Sequence, residues 1–159
     1  MVKEENFTFF FGQYCPLSNF YPAKFTLDGN TFNCTEQFIQ FSKAQLFGDQ
    51  KTAADILLET DPVKQKSLGR KVINFDLKKW QDAIPNLITR GIAQKIEENV
   101  AVKNFLQDTG DTEIVEASIR DRIFGIGLSL TDKNKTDKTK WNGMNLQGKM
   151  LQEIRENLM

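Results

Sequence analysis

The sequence predicts an α+β fold, predominantly α-helical with a small antiparallel β-sheet. Three observations carry that prediction. Helical patterning fills most of residues 35–107 and returns at the C-terminus, where Leu146, Met150, Ile154 and Leu158 recur at i, i+4 spacing. Strand-like runs are few and short: "FTFFF" at 7–11, an alternating run around "DGN", and "EIVEAS" at 113–118. A length of 159 residues, 40% apolar and 26% charged, suits one domain spanning 1–159 with a sizeable core.

Each element has its own signal. After the first strand, "CPLSNFYP" reads as a loop punctuated by Pro16 and Pro22. "AKFTLDGNTFN" predicts a hairpin, because Asp-Gly tolerates the positive φ angles that tight strand turns need. Asn33 or Thr35 can cap the next helix, and Asn33 with Glu36 has capping-box spacing. That helix ends near Gly48. "QKTAADILLE" and "PVKQKSLGRKV" are further helices. "DLKKWQDAIPNLITRGIAQKIEEN" is one long helix or two, with Pro85 as the break or a first-turn residue. "VAVKNFLQDTG" is another helix, stopped by Gly110. "RDRIFGIGLSL" reads as a loop, and "TDKNKTDKTK" as a polar, flexible, Lys-rich one.

Composition excludes several chemistries. The chain has no histidine, which removes Ser-His-Asp and Cys-His nucleophile systems and most zinc sites. Any acid–base work falls to Asp, Glu, Lys, Tyr or Cys. Net charge is zero, with 21 basic and 21 acidic residues, which argues against gripping nucleic acid through phosphates alone. Two cysteines are too few for a disulfide framework, and the N-terminus carries acids where a signal peptide has bases. No apolar run approaches a membrane span. These features predict a soluble protein of a reducing cytoplasm, with no membrane partner.

The first helix raises the sharpest chemical question. Glu36, Gln40 and Lys43 fall within about 60° of one another on a helical wheel. Glu36 and Lys43 stand about 10.5 Å apart along the axis, too far to pair as neighbours, with Gln40 between. One reading is a helix cap and a lysine reaching solvent. The other is a pocket wall, where apolar burial lowers the amine's pKa and makes it able to attack an aldehyde. Ser18, Asn19 and Phe20 in "PLSNF" are turn residues, or polar readers beside a stacking wall. Glu116, Arg120, Asp121 and Arg122 precede Gly125-Ile126-Gly127, as surface ion pairs or as a carboxylate at a close-approach loop. "KWNGMNLQGK" gathers Trp141, amides and glycines at a helix start, a cap or an anion site. Lys133, Lys135, Lys138 and Lys140 lie nearby, in solvent or near phosphates. Cys34 sits where a helix start favours a thiolate, but it lacks a histidine partner.

Taken in order, "PLSNFYPAKFTLDGNTFNCTEQFIQFSKAQLFGD", Trp80 in "KKWQDAI", "LQDTGDTEIVEASIRDRIFGIGL" and "WNGMNLQGKMLQEIRENL" closely resemble the NADAR, or YbiA-like, family over nearly the whole chain. The resemblance implies a mainly helical fold with a small sheet and N-glycosidase chemistry on ribose-containing nucleotides, with no metal and no cofactor. Some members resemble hydrolases of phosphorylated riboflavin-pathway intermediates. Others remove ADP-ribose from guanine in DNA and so undo an ADP-ribosyltransferase toxin, an implied functional counterpart. A non-catalytic ADP-ribose-binding module is the remaining alternative.

Position by position, Glu36 matches the family glutamate at the helix start. Lys43 matches the lysine thought to form an imine with opened ribose, and Asp121 matches the acid before "WGxG". Ser18, Asn19 and Phe20 match the ligand loop, and Asn145 and Gly148 match the "NxxG" element. The implied catalytic set is Lys43, Glu36 and Asp121. The implied substrate contacts are Ser18, Asn19, Phe20, Gln40, Trp80, Phe124, Gly125, Gly127, Trp141, Asn145 and Gly148. Gln37 replaces a frequent family histidine, and Phe124 replaces the usual tryptophan. Both replacements bear on base stacking or substrate choice.

Overall fold

The structure is a computed structural model and describes residues 1–158. The chain divides into two compact units, Asn19–Val100 and Met1–Ser18 with Ala101–Met159.

The first strands are β1 (Val2–Glu4) and β2 (Phe7–Phe10), followed in the other unit by β3 (Phe25–Leu27) and β4 (Asn30–Phe32). Within Asn19–Val100, β3 and β4 form the expected hairpin. Asp28 and Gly29 take φ of 52° and 82°, the left-handed turn that Asp-Gly permits. Phe25 and Phe32 stack across it at 5.5 Å. Both meet the edge of Phe38, on α1 (Thr35–Leu46). Three further helices surround α1: α2 (Gln50–Leu58), α3 (Pro62–Gly69) and α4 (Leu77–Glu98). Asp49, Asp61 and Asp76 cap them by accepting from the Thr52, Val63 and Lys79 amides, the ordinary use of a short carboxylate at a helix start.

α4 is one helix and runs through Pro85. Thr89 Oγ1 donates to the Pro85 carbonyl. Ile84, Ile88, Ile92 and Ile96 form its buried stripe. A Cβ on Gly91 would stand 2.2 Å from the Phe38 ring, so the missing side chain lets α4 lie directly on α1.

The other unit carries β1, β2, α5 (Val100–Gln107), β5 (Glu113–Glu116) and α6 (Leu146–Leu158). Its sheet order is β1-β2-β5, antiparallel between β1 and β2 and parallel between β2 and β5. The expected antiparallel sheet is therefore mixed, and the hairpin forms a sheet of its own. The parallel pairing arises because a long excursion, not a tight turn, joins β2 to β5. Phe7, Phe9, Val115, Ala117 and Ile126 form a buried cluster, with Trp141 packed against it.

α6 covers the open edge of β5 with side-chain amides. Asn145 Oδ1 accepts from the Glu116 amide at 3.1 Å, Asn145 Nδ2 donates to the Ile114 carbonyl at 2.9 Å, and Gln152 Oε1 accepts from the Ile114 amide at 2.9 Å. These bonds stand in for a missing neighbour strand. Gly148 is required here, since its Cβ would lie 1.9 Å from the Ile114 carbonyl.

The Lys-rich loop is folded, not loose. Asp137 caps a single 3-10 turn, Lys138–Lys140, and Asp132 accepts from the Asn134 amide. Lys135 is buried over the Phe9 ring and pairs with Glu4, while Lys138 pairs with Glu113. No helix among the described residues is long and apolar enough to cross a membrane.

Candidate active site

The start of α1 departs from the expected capping box. Cys34 is the N-cap and makes no side-chain cap bond. Asn33 sends its amide to the Thr60 carbonyl, and Thr35 Oγ1 has no partner among the described residues. Glu36 is the second residue of α1. Its backbone N–H donates to the Asn19 carbonyl at 2.9 Å, which ties the "SNF" loop to the helix start.

Glu36 is only 4% exposed, and its carboxylate accepts from Gln40 Nε2 at 2.8 Å. The two residues stand at i, i+4 on the face that the wheel gave them. Gln40 Oε1 lies beside Gly69 and meets no donor among the described residues. A Cβ on Gly69 would sit 1.7 Å from that oxygen, so the end of α3 is shaped around the amide.

Lys43 follows one turn later, half-buried. Its Nζ lies 5.5 Å from the Phe75 ring centre and 5.8 Å from that of Trp80. Burial pulls its pKa from the ordinary 10.5 to about 8. The Glu36 charge opposes that fall, and the Lys66 and Arg70 charges add to it. About one lysine in ten is then a free amine at neutral pH, against fewer than one in a thousand in water. Such an amine can attack a carbonyl carbon without a histidine to activate it.

Phe20 carries the Lys66 ammonium over its ring at 5.7 Å. Cys34 is a buried thiol that donates to Gln65 Oε1. Burial pushes it up to about 11, which overrides the helix start and leaves it protonated.

The remaining expected residues belong to the other unit. Asp121 Oδ1 accepts from the Ile123 and Phe124 amides at 3.0 and 2.8 Å, and the Asp121 amide donates to Ser118 Oγ. Ser18 is buried, with its amide on the Cys15 carbonyl. Gly125 fits between the Asp121 and Glu116 carbonyls, and Gly127 turns with φ of 73° beside Asn142.

Four further expected contacts also have a place in the fold. Phe124 is buried, and its carbonyl accepts from the Gln147 amide. Trp141 packs edge-on to Phe7 and donates Nε1 to the Lys135 carbonyl. Asn145 and Gly148 are committed to β5, the amide through both its ends. Each end of that amide keeps one further hydrogen-bonding position.

The NADAR domain family model matches residues 8–159 of this chain. The chain belongs to the NADAR family. It is 35% identical to Caenorhabditis elegans protein irg-1, covering 96% of this chain and 79% of that one. It is 37% identical to N-glycosidase R617 of Acanthamoeba polyphaga mimivirus, covering 87% and 85%. The NMR structure of the Escherichia coli protein YbiA aligns with 99% of this chain and 87% of its own at a TM-score of 0.78 and 24% identity, a likeness of fold.

Membership puts the departures from the NADAR pattern in place. Gln37 does not reach for a base. Its Oε1 accepts from the Asn33 amide, and its Nε2 donates to the Ile56, Leu57 and Glu59 carbonyls at the end of α2. It fastens two helices together. Sequence reasoning missed Phe75, Gly69, Lys66 and Arg70, all in the Lys43 neighbourhood. The basic run "KQKSLGRK" was a usable signal for the two cations, whereas Phe75 and Gly69 carried none.

Proposed function

We propose that this NADAR protein is an N-glycosidase that hydrolyses a ribose C1′–N bond, foremost the bond between ADP-ribose and guanine in DNA. The observation that carries the reading is Lys43, an amine with its pKa lowered to about 8 beside a buried carboxylate–amide pair in a chain without histidine. The name of the mimivirus relative, N-glycosidase R617, supports the reaction class.

The mechanism follows from that chemistry. A carboxylic acid, Glu36 or Asp121, gives a proton to the ring oxygen as the C1′–O4′ bond opens, and the electron pair of the attached nitrogen forms C1′=N. Lys43 Nζ adds to C1′. A proton passes from Nζ to the departing nitrogen, and the base leaves with its hydrogen restored. C1′ is then an imine of Lys43. Water adds to that imine, the lysine is expelled, and the aldehyde recloses to ribose. One water is consumed, and its hydroxyl ends on C1′ and its hydrogen on the base. Lys66 and Arg70 would hold the pyrophosphate, in place of the Asn145 element and the Lys-rich loop first expected there.

Borohydride added during turnover of an ADP-ribosylated guanosine should fix a covalent adduct on Lys43, found by peptide mass. Full turnover by Lys43→Ala would sink the imine route and leave direct attack by water assisted by Glu36 and Asp121. A second reading, cleavage of free phosphorylated riboflavin-pathway intermediates, draws on Lys135 and Lys138. Their pairing with Glu4 and Glu113 leaves the loop little pull on a polymer. Offering both substrates side by side separates the readings. Binding of ADP-ribose with no turnover of either would make the protein a binding module.

A further inference from the structure

The β3–β4 hairpin, α1 and α4 belong to one compact unit, and α1 has two unlike faces within it. Glu36, Gln40 and Lys43 share one face. Phe38, Phe41, Ser42 and Gln45 lie more than about 100° round the helix from Glu36. On that reverse face is a cavity of about 430 Å³, walled by Asp28 and Asn30 of the hairpin, Phe41 and Ser42 of α1, and Leu87 and Arg90 of α4. Pockets for small molecules begin at about 300 Å³.

The apolar part of the wall is recessed. Phe32 and Phe38 also line the cavity and are 1% and 4% exposed, and the Phe41 ring stands 5.5 Å from that of Phe32. None of the large apolar side chains of the wall is among the exposed ones. A surface that docks a protein presents its apolar groups outward. This one holds them back, as a pocket for a small ring does.

The polar part lacks partners. Ser42 is 6% exposed, and its hydroxyl makes no hydrogen bond among the described residues. Buried polar groups are ordinarily bonded. The Ser42 oxygen is not sealed in the core as that of Thr35 is, so the cavity is what it faces. The Asn30 side-chain amide in the same wall is equally unbonded among the described residues. At the rim, Arg90 Nη2 alone donates to both Asp28 oxygens, at 2.9 and 3.0 Å, which leaves Nε and Nη1 without a partner among the described residues. Both side chains are more than half exposed, so the pair opens at little cost. Its charges cancel, which disfavours a charged ligand of either sign. A carboxylate and a guanidinium side by side match an N–H next to a C=O: the carboxylate accepts from the first, and the guanidinium donates to the second.

We infer that this cavity is a second ligand site, which takes an uncharged planar heterocycle with a lactam edge, an N–H beside a C=O, as a keto nucleobase has. The ring lies against Phe41, the lactam meets Asp28 and Arg90, and Ser42 and Asn30 bond the remaining ring heteroatoms. Because the cavity and Lys43 lie on opposite faces of α1, the ligand is not the substrate of the amine, and the site does not depend on the N-glycosidase reading.

Three compounds test this: hypoxanthine, 1-methylhypoxanthine, which lacks the lactam N–H, and indole, which has a planar ring and no carbonyl. In a proton–nitrogen NMR titration, hypoxanthine should shift the Asn30, Phe41 and Ser42 backbone amides saturably. Both analogues should bind at least about tenfold more weakly. Ser42→Ala and Arg90→Ala should each weaken hypoxanthine about five- to tenfold, and Lys43→Met should leave its affinity unchanged. The same spectra report whether each variant is folded, and the two analogues decide the matter on the parent chain if one is not. No saturable shift, equal binding by either analogue, undiminished binding by both folded wall variants, or loss of binding in Lys43→Met would overturn the inference.

Discussion

Two stretches carry the family pattern equally well, and the fold uses them in opposite ways. On α1, Gln40 and Lys43 are taken out of water without full compensation: the Gln40 carbonyl has no donor among the described residues, and burial lowers the lysine pKa from 10.5 to about 8. At the head of α6, Asn145 bonds β5 through both ends of its amide, and Gly148 lies against the Ile114 carbonyl. A motif residue bonded to the backbone through both ends of its side chain holds the fold. One held at an energetic cost is free to act on something else.

The comparison can be broken most severely at Lys43. Lys43→Met should lower turnover at least about 10³-fold, because it removes the attacking atom. The same change should raise thermal stability at neutral pH. The unfolded lysine titrates near 10.5 and the folded one near 8, so the folded state is penalised below pH 8 and recovers as pH climbs to 10.5. Partial solvent contact reduces the penalty, leaving on the order of 1–2 kcal/mol to be regained in the methionine variant, measured by chemical denaturation at pH 7. A loss of stability instead would show that Lys43 is a packing residue. In the parent enzyme kcat/KM should rise tenfold per unit below pH 8 and level above it, as the amine loses its proton.

Gly69→Ala comes next. Its methyl group displaces the Gln40 amide from Glu36, so activity should fall about 10-fold or more while the helical circular dichroism persists. Asn145→Ala gives the opposite signature. It strips two buried bonds from the β5 edge and should cost about 1–3 kcal/mol in denaturant unfolding, with turnover per folded molecule kept. The smallest effect belongs to Lys138→Ala, whose exposed pair with Glu113 is worth less than about 1 kcal/mol.

Much of this molecule was legible in the sequence where local rules decide. The Asp28-Gly29 hairpin and the buried stripe of α6 follow from turn chemistry and spacing alone. The Glu36–Gln40 contact was readable for the same reason, being four residues apart on one helix. What sequence could not show was where distant chain meets. The parallel partnering of β2 with β5 joins residues about a hundred apart, and it turns Asn145 from an expected ligand contact into a strand substitute. The lysines of the loop read as solvated because their acids, Glu4 and Glu113, lie far off in sequence. The rings around Lys43 are Phe75, just before α4, and Trp80, on its first turn, both far from α1 in sequence.

Pro85 gives α4 a further property. With no N–H on the proline, the Gln81 carbonyl receives no i+4 donor, so the helix hydrogen-bond ladder is missing a rung between the turn that carries Trp80 and the isoleucine stripe beyond it. The indole beside Lys43 therefore stands on the short turn of helix ahead of that missing rung. In native-state hydrogen exchange the amides of 78–84 should trade faster than those of 89–97, and Pro85→Ala should join the two into one cooperative block. The wall of the amine would then exchange as slowly as the isoleucine stripe behind it.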